Sequence, residues 1–292
     1  MNKISDAMIS VIIPAKNEAT GLDKVLPAVR NILGGAELIV VNDGSSDNTG
    51  KVAADYADKV INHPHPMGNG AAVKAGARAA TGEVFIFMDA DGQHSPEDIP
   101  GLIEKLNQDY SMVVGARHSS THANLFRRIA NFIYNRLASY LTNQSIKDLT
   151  SGFRAVCADD FRAFLYLLPN GFSYPTTITM ALSRSGKTIT YIPIKAGKRS
   201  GKSHINLIKD GIRFFVIIFK ISALYSPLKI FAPASLLCFI LGSSYYLYTY
   251  LTDGRFTNMG LLLFVVAMLV FMIGLVSEQI TTLLYVASNK RA

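Results

Sequence analysis

Five short runs rich in Ile, Val and Phe punctuate the first part of the chain: Met8–Ile13, Glu37–Val41, Asp58–Ile61, Glu83–Met88 and Ser111–Val114. Between them apolar residues recur with helical spacing over Gly21–Leu33, Asp47–Tyr56, Ala71–Ala80 and Pro96–Leu106. The runs are apolar throughout instead of alternating with polar positions. Such strands are covered on both faces, so the pattern predicts an α/β fold with a mostly parallel sheet. In such sheets ligands bind at the carboxyl ends of strands. The polar clusters fall there: Pro14-Ala15-Lys16-Asn17-Glu18 after the first run, Asn42 to Asp47 after the second, and Asp89-Ala90-Asp91 after the fourth.

The last third follows a different pattern. From Leu228 to Leu251 the only charge is Lys229, and from Met259 to Tyr285 the only charge is Glu278. Each run exceeds the roughly 20 residues that cross about 30 Å of hydrocarbon as a helix. A buried hairpin in a soluble protein is the alternative, and the run lengths disfavour it. The joint, Thr252 to Asn258, is polar and neutral, whereas Lys220, Lys229, Lys290 and Arg291 flank the outer ends. The positive-inside rule then puts both ends of the hairpin in the cytoplasm. Upstream, Ile205, Ile208, Ile212, Phe215 and Phe219 lie on one helical face and Lys209, Asp210, Arg213 and Lys220 on another. That segment reads as a helix in the membrane surface; its four charges disfavour a third span. The expected organisation is a globule over residues 1–203, an interfacial helix and linker over 204–227, and spans over 228–251 and 259–285. Lys195 to Ser203 is the expected hinge.

Composition agrees with a chain partly outside water. Charged residues make up 17%, against roughly 25% in an average soluble domain. The net charge of +8 is localised: Lys195 to Lys229 holds eight Lys or Arg and one acid, which is +7 and leaves +1 elsewhere. A basic stretch directly before apolar spans suits anionic headgroups, and with no recognition motif beside it nucleic acid is excluded as a partner. Two cysteines, Cys157 and Cys238, are too few for a disulfide framework, so a reducing compartment is expected. The polar start, Met1 to Ala7, reads as no secretory signal.

Two carboxylates on one strand-end loop, Asp89 and Asp91 in M-D-A-D-G-Q-H, repel each other unless a cation sits between them and an anion. Hard divalent cations take oxygen ligands and share them with phosphates. A metal-bound diphosphate is one reading, and a turn with helix-capping acids is the other. Gln93 and His94 are further ligand candidates, with a surface loop position open for His94. Asp43 in V-V-N-D-G-S-S-D-N-T is placed to meet a nucleobase or ribose, in what by itself is a strand-to-helix turn. Gly68-Asn69-Gly70 opens a helix whose free N–H groups suit phosphate, although the pattern is neither a P-loop nor a dinucleotide fingerprint.

V-I-I-P-A-K-N-E, V-V-N-D-G-S-S-D-N-T, G-N-G-A-A-V-K-A-G and M-D-A-D-G-Q-H occur in this order along the chain. Together they resemble the nucleotide-sugar domain of family 2 glycosyltransferases, which have the GT-A fold. D-L-T-S-G-F-R from Asp148 and R-S-G-K-S from Arg199 resemble motifs of the dolichyl-phosphate mannose synthase and bacterial polyprenyl-phosphate glycosyltransferase branch. The resemblance covers about residues 8–204, and the trailing hairpin fits many bacterial members.

It implies that Pro14, Ala15, Glu18, Asp43 and Asp47 surround the nucleoside, with Gly68 and Asn69 near its base or phosphates. Asp89, Asp91 and Gln93 would face Mg²⁺ or Mn²⁺ and the diphosphate. Arg117 would sit near the acceptor phosphate and the transferred sugar. Arg127 and Asn131 would hold the lipid phosphate, although relatives often carry Ser where this chain has Asn131. Arg199 and Ser203 would belong to a segment closing over the nucleotide. Asp91, Arg117 and Arg199 are the expected catalytic residues. The implied donor is a nucleotide-sugar, with a UDP-hexose or UDP-N-acetylhexosamine favoured over GDP-mannose, and the implied acceptor is undecaprenyl or dolichyl phosphate. The implied place is the inner or plasma membrane, with the catalytic domain on the cytoplasmic face and room for a homo-oligomer through span packing.

An acceptor phosphate is already anionic and needs no general base, so a single in-line displacement would invert the anomeric centre. A sugar or protein acceptor would call for a carboxylate base, for which Asp148 is the candidate. A processive polysaccharide synthase falls away, because that family carries Q-x-x-R-W and the chain has no Trp. A non-catalytic, membrane-anchored nucleotide-sugar-binding protein is the remaining alternative; Asp89, Asp91, Arg117 and Arg199 argue against it.

Overall fold

The computed structural model describes residues 4–117, 125–171, 173–194 and 226–289, with isolated positions 216, 219 and 223. It divides into a first unit ending at Ile217 and a second beginning at Ile218. Most of the segment expected to lie in the membrane surface falls outside the described residues.

In the first unit, β1 (Ile9–Ala15), β2 (Glu37–Asn42), β3 (Lys59–Asn62), β4 (Val84–Phe87), β5 (Met112–Arg117), β6 (Arg154–Cys157) and β7 (Ile189–Ile194) form one sheet in the order β3-β2-β1-β4-β6-β5-β7. All neighbours are parallel except β6, which runs antiparallel to both β4 and β5. The order reverses at β1, where β2 and β4 lie on opposite sides, and the ends Ala15, Asn42 and Phe87 open on one edge. Because β6 runs the other way, its first residue, Arg154, pairs with Phe87 and brings the preceding loop to the same edge.

Alternate strand residues face opposite layers. Val11, Ile13 and Ile86 pack under α1 (Ala19–Ile32) and α4 (Ile99–Leu106), through Leu22, Leu26, Leu102 and their neighbours. Ile12, Phe85, Phe87 and Val114 pack on the other face under α3 (Asn69–Ala79), α6 (Ala158–Arg162) and α7 (Tyr174–Arg184), through Val73, Phe161 and Ile178. The helix α2 (Thr49–Tyr56) links β2 to β3, and α5 (Leu125–Thr142) packs against α7.

At the far end of β2, Glu37 accepts from Lys59 Nζ (2.6 Å), from Thr81 N (2.8 Å) and from Ser10 Oγ. Burial alone would raise its pKa, yet these partners bring it from 4.5 to about 2. A carboxylate depressed in this way stabilises the fold above its unfolded pKa, and the contribution is lost as pH falls through the folded value. Glu37→Gln is therefore expected to be less stable than the parent at neutral pH, with the gap closing between pH 4.5 and about 2. Urea midpoints measured in detergent across that range check this, and a gap that persists at the acid end contradicts it.

The second unit holds α8 (Leu228–Asp253) and α9 (Asn258–Asn289). Both are long and apolar enough to cross a membrane. Only 11% and 17% of their most apolar stretches are buried, which is not the environment of a soluble core. Small residues let the helices approach, as packing in lipid requires: a side chain at Gly274 would strike Phe231 Cβ at 2.7 Å, and Ser235 Oγ donates to Ala267 O at 2.7 Å. Gly254, at φ +62°, ends α8 in the left-handed conformation. Glu278 does not stand as a free charge, because its Oε2 accepts from the Leu228 N–H at 3.2 Å and so serves the open start of α8.

Candidate active site

Three loops meet at the edge where β1, β2 and β4 end. The β1 and β2 loops are laced together by Asn17, which sits at φ +54°. Its N–H donates to Ser45 Oγ (2.9 Å), and its Oδ1 accepts from Ser46 N (2.9 Å). Asp47 accepts from Thr49 N (3.0 Å) and Ala19 N (3.4 Å), so one carboxylate serves the first residues of both α1 and α2. Burial raises its pKa, but those bonds outweigh it and hold the group below the usual carboxylate range. Pro14, Ala15 and Glu18 stand on the same edge, and Glu18 N donates to Thr49 Oγ1 at 3.0 Å.

Asp43 is buried and heavily engaged. Its Oδ1 takes Met67 N (2.8 Å) and His63 Nδ1 (2.7 Å), and its Oδ2 takes Gly68 N (2.8 Å). Burial opposes ionisation, but these donors win and lower its pKa. An ionised carboxylate only accepts, so the proton of this pair lies on His63 Nδ1. Asp43 thus moors the 63–68 loop at the mouth of the site.

At the start of α3, where a phosphate cradle is expected, two of the N–H groups have partners within the chain. Gly70 N donates to Gly171 O (3.3 Å) and Ala71 N to Asn170 O (2.8 Å), so these N–H groups are spent on the 169–171 loop. The glycines serve close packing: a Cβ at Gly70 would lie 1.9 Å from Pro169 O, and one at Gly68 would lie 2.6 Å from Asn170 O. Gly68 and Asn69 remain at the mouth, but as a packed turn and helix start.

The paired carboxylates occupy the loop after β4. Asp91 Oδ1 accepts from Gln93 N at 3.1 Å, which folds the loop back on itself, and Gly92 takes φ +70°. The Asp89 side chain is 37% exposed. Two glycines hem this loop, and neither was legible as a site residue. A Cβ on Gly21 would lie 2.1 Å from Ala90 O, and a Cβ on Gly152 would meet the Asp89 carboxylate oxygens at 2.7 and 2.9 Å. His94 is not the surface residue left open by sequence: it is 4% exposed and stacks on Phe153 with ring centroids 5.2 Å apart. Its Nδ1 lies 3.8 Å from Asp89 Oδ2 and has no hydrogen-bond partner among the described residues.

If the Asp89 loop holds a divalent cation, Gly152→Ala is expected to leave the melting temperature near that of the parent while weakening divalent-cation affinity about 10–100-fold, the usual cost of disturbing the surroundings of a metal ligand. Cation titrations of nucleotide-sugar binding check this, and a parental titration would contradict it.

Arg117, at the end of β5, meets Asp148 from the loop before β6. Nε donates to Asp148 Oδ2 (2.9 Å), Nη2 donates to Oδ1 (3.1 Å), and Nη2 also reaches Thr150 Oγ1 (2.6 Å). Asp148 further accepts from Thr150 N (3.0 Å), Ser151 N (3.1 Å) and Arg117 N (3.3 Å). Burial pushes the Asp148 pKa up, but the adjacent guanidinium and the backbone donors bring it well below the ordinary value. Burial likewise opposes the charge on Arg117, and Asp148 reverses that and raises its pKa. Below this pair the fully buried Arg154 donates to Pro175 O and Thr179 Oγ1, both at 3.1 Å, and to Ser151 O, fixing the loop on α7. From the other side Asn135 of α5 donates to Lys147 O (2.7 Å) and accepts from Leu149 N (3.1 Å), bracketing Asp148.

Asn131 is half-buried on α5, and Arg127 belongs to the same helix. Arg199 and Ser203 lie outside the described residues. Among the described residues no group of three His, Cys, Asp or Glu converges as a self-sufficient metal site. Asp89, Asp91 and Gln93 offer hard oxygen donors on one exposed loop, a set that fits a cation sharing its remaining positions with phosphate oxygens and water.

The chain is 30% identical over 205 residues to the undecaprenyl-phosphate 4-deoxy-4-formamido-L-arabinose transferase of Photorhabdus laumondii, covering 67% of this chain and 57% of the relative. It therefore spans little more than half the length of that relative. It is 28% identical over 205 residues to the dolichyl-phosphate hexose transferase of Haloferax volcanii, covering 70% of this chain and 89% of that one. Among solved structures, glucosyl-3-phosphoglycerate synthase from Mycobacterium tuberculosis, in complex with Mn²⁺, UDP and phosphoglyceric acid, superposes with a TM-score of 0.61 at 20% identity. That likeness covers 74% of this chain and 78% of that one and establishes the GT-A type of fold. Residues 226–283 match the family model of the GtrB C-terminal hairpin. Residues 10–165, just over half of the 292, match the model of glycosyl transferase family 2, and the chain belongs to that family.

Proposed function

We propose that the protein moves a sugar from a nucleotide-sugar to a polyprenyl phosphate at a membrane, with inversion at the anomeric carbon. The observation that carries this reading is the state of Asp148. Both of its oxygens are engaged by Arg117, Thr150 and Ser151, and its pKa is lowered. A carboxylate so held is a poor proton acceptor, so the site suits a nucleophile that needs no deprotonation. A phosphate monoester, with a second pKa of about 6, is mostly dianionic at neutral pH. The names of the relatives in Photorhabdus and Haloferax support the same acceptor class.

The work of the protein is then charge and alignment. Arg117, its guanidinium oriented by Asp148 and Thr150, would bring positive charge to the incoming phosphate. Asp43 and Asp47 shape the loops around the nucleoside. Asp89, Asp91 and Gln93 would hold a divalent cation, which supplies positive charge to the departing diphosphate; the Mn²⁺ and UDP of the Mycobacterium neighbour support this choice. Arg127 and Asn131 would receive the lipid phosphate, and Arg199 and Ser203 would close over the donor. A UDP-hexose or UDP-N-acetylhexosamine is the proposed donor. The proposed location is the inner or plasma membrane, spanned by α8 and α9, with the catalytic unit on the cytoplasmic side; the length and apolar character of the two helices support it. Incubating the purified protein and a divalent cation with a panel of sugar nucleotides and undecaprenyl or dolichyl phosphate should yield one lipid-phosphate sugar by mass spectrometry. Absence of product from every pair contradicts the reading.

A further inference from the structure

The loop that carries Asp89 and Asp91 ends on a side chain to which the catalytic reading gives no task. His94 is buried, and its ring stacks on Phe153 at an interplanar angle of 14°. Phe153 is itself fully buried, and Gly115 of β5 leaves the space it fills: a Cβ there would lie 2.8 Å from Phe153 Cδ1. The imidazole is thus wedged against the sheet and has little freedom to turn. Leaving a buried polar atom unpaired costs more than a hydrogen bond gains, so native folds seldom keep one without a use. Among the described residues His94 Nδ1 is such an atom, and Asp89 Oδ2 lies 3.8 Å from it. The two carboxylates of the loop also differ. Asp91 already accepts from Gln93 N, whereas the Asp89 carboxylate accepts no hydrogen bond among the described residues.

We propose that His94 is a positioning residue for Asp89: it donates from Nδ1 to Oδ2 once the loop takes a divalent cation, and so fixes the carboxylate while its other oxygen meets the ion. The inference rests on the cation reading proposed above. Oδ2 needs to approach by about 1 Å to reach hydrogen-bond distance. That rotation is open to a side chain that is 37% exposed. Gly152 leaves room for it, since a Cβ there would already crowd both Asp89 oxygens. Ligands of a bound metal are held by such a second hydrogen bond, which sets their orientation. Direct ligation by His94 fits less well. Its Nδ1 is sealed from solvent, whereas a hard cation takes oxygen donors and keeps water around it.

The full-length parent, His94→Phe, His94→Leu and His94→Asn are compared in detergent, with Mn²⁺ and either UDP or GDP as the probe. Free Mn²⁺ is read by electron paramagnetic resonance. The Phe and Leu variants lack a donor and should bind Mn²⁺ about 10–100-fold more weakly than the parent. His94→Phe keeps the stack on Phe153, and His94→Leu serves if the Phe variant fails to fold. The Asn variant offers an amide N–H close to the place of Nδ1 and should recover most of the affinity. Without the cation, His94→Phe should melt at or above the parent, because an unpaired polar atom leaves the interior. Spin-echo spectra of Mn²⁺ bound to the parent should show no directly bonded nitrogen. Parental affinity in the donor-free variants overturns the proposal. An equal loss in the Asn variant, or a fall in melting temperature that tracks the loss of affinity, marks a structural role and also overturns it. A nitrogen bonded to Mn²⁺ in the parent makes His94 a ligand, which overturns the proposal and leaves the cation reading standing. A parent that takes up no Mn²⁺ with either nucleotide overturns both.

Discussion

Arg117→Ala is expected to lower turnover about 10²–10³-fold, the scale of losing one preorganised donor to developing charge. The guanidinium would do two things at once: meet the proposed acceptor phosphate, and neutralise Asp148 as the ion pair shows. Removing it leaves Asp148, whose side chain is 10% exposed, with the Thr150 hydroxyl and backbone donors but no countercharge, so a stability loss of about 1–3 kcal/mol should accompany the kinetic one. Arg117→Lys keeps the charge without the two-pronged geometry seen at 2.9 and 3.1 Å, and should retain part of the turnover. Asp148→Asn should be milder than Arg117→Ala, because it disturbs the clamp without deleting the cation. Rates at saturating donor, with melting temperatures beside them, separate these outcomes. If Asp148→Asn is dead with donor and lipid binding intact while Arg117→Ala turns over, Asp148 is a base and the clamp reading is wrong.

Asp91→Ala is expected to abolish transfer while leaving the fold intact. The residue lies on a loop after β4, outside both core clusters, so little packing depends on it. Its loss leaves Asp89 and Gln93 as side-chain donors on that loop, too few to hold a hard cation against water. Chelation of the parent should give the same loss, reversed by added Mg²⁺ or Mn²⁺. Full turnover in excess chelator, or in Asp91→Ala, would contradict the assignment of this loop to a metal-bound diphosphate.

The parts of the fold that were legible are those where burial on both faces writes an unbroken apolar run, as in β1, β2 and β4. The strand β6 is hard to read from sequence because it is four residues long and opens with Arg154, a fully buried charge whose Nη1 and Nη2 donate to carbonyls and a hydroxyl. The helix α7 was invisible for the opposite reason. Tyr174 to Ser183 are all buried, so no polar face remains to reveal a helical period, and its threonines mask its apolar character. In the proposed site, short motifs point to Asp43, Asp89 and Asp91, because strand ends and tight turns are local features, while Arg117 is named only by the family resemblance. Their partners were out of reach. Arg117 and Asp148 are 31 residues apart, and the closeness of Gly21 and Gly152 to the Asp89–Asp91 loop exists only once three strands are aligned. The start of α3 shows the limit most sharply: local sequence offers free N–H groups, and a loop about a hundred residues later takes them.

The central claim is that the nucleophile arrives already ionised, and one comparison tests it most directly. Turnover is measured with a polyprenyl phosphate and with the polyprenol of the same length, using the same donor and cation. A sugar-phosphate lipid of inverted anomeric configuration is expected from the first and no glycosylated product from the second. Comparable glycosylation of the alcohol would require a base that deprotonates it, and would contradict the account.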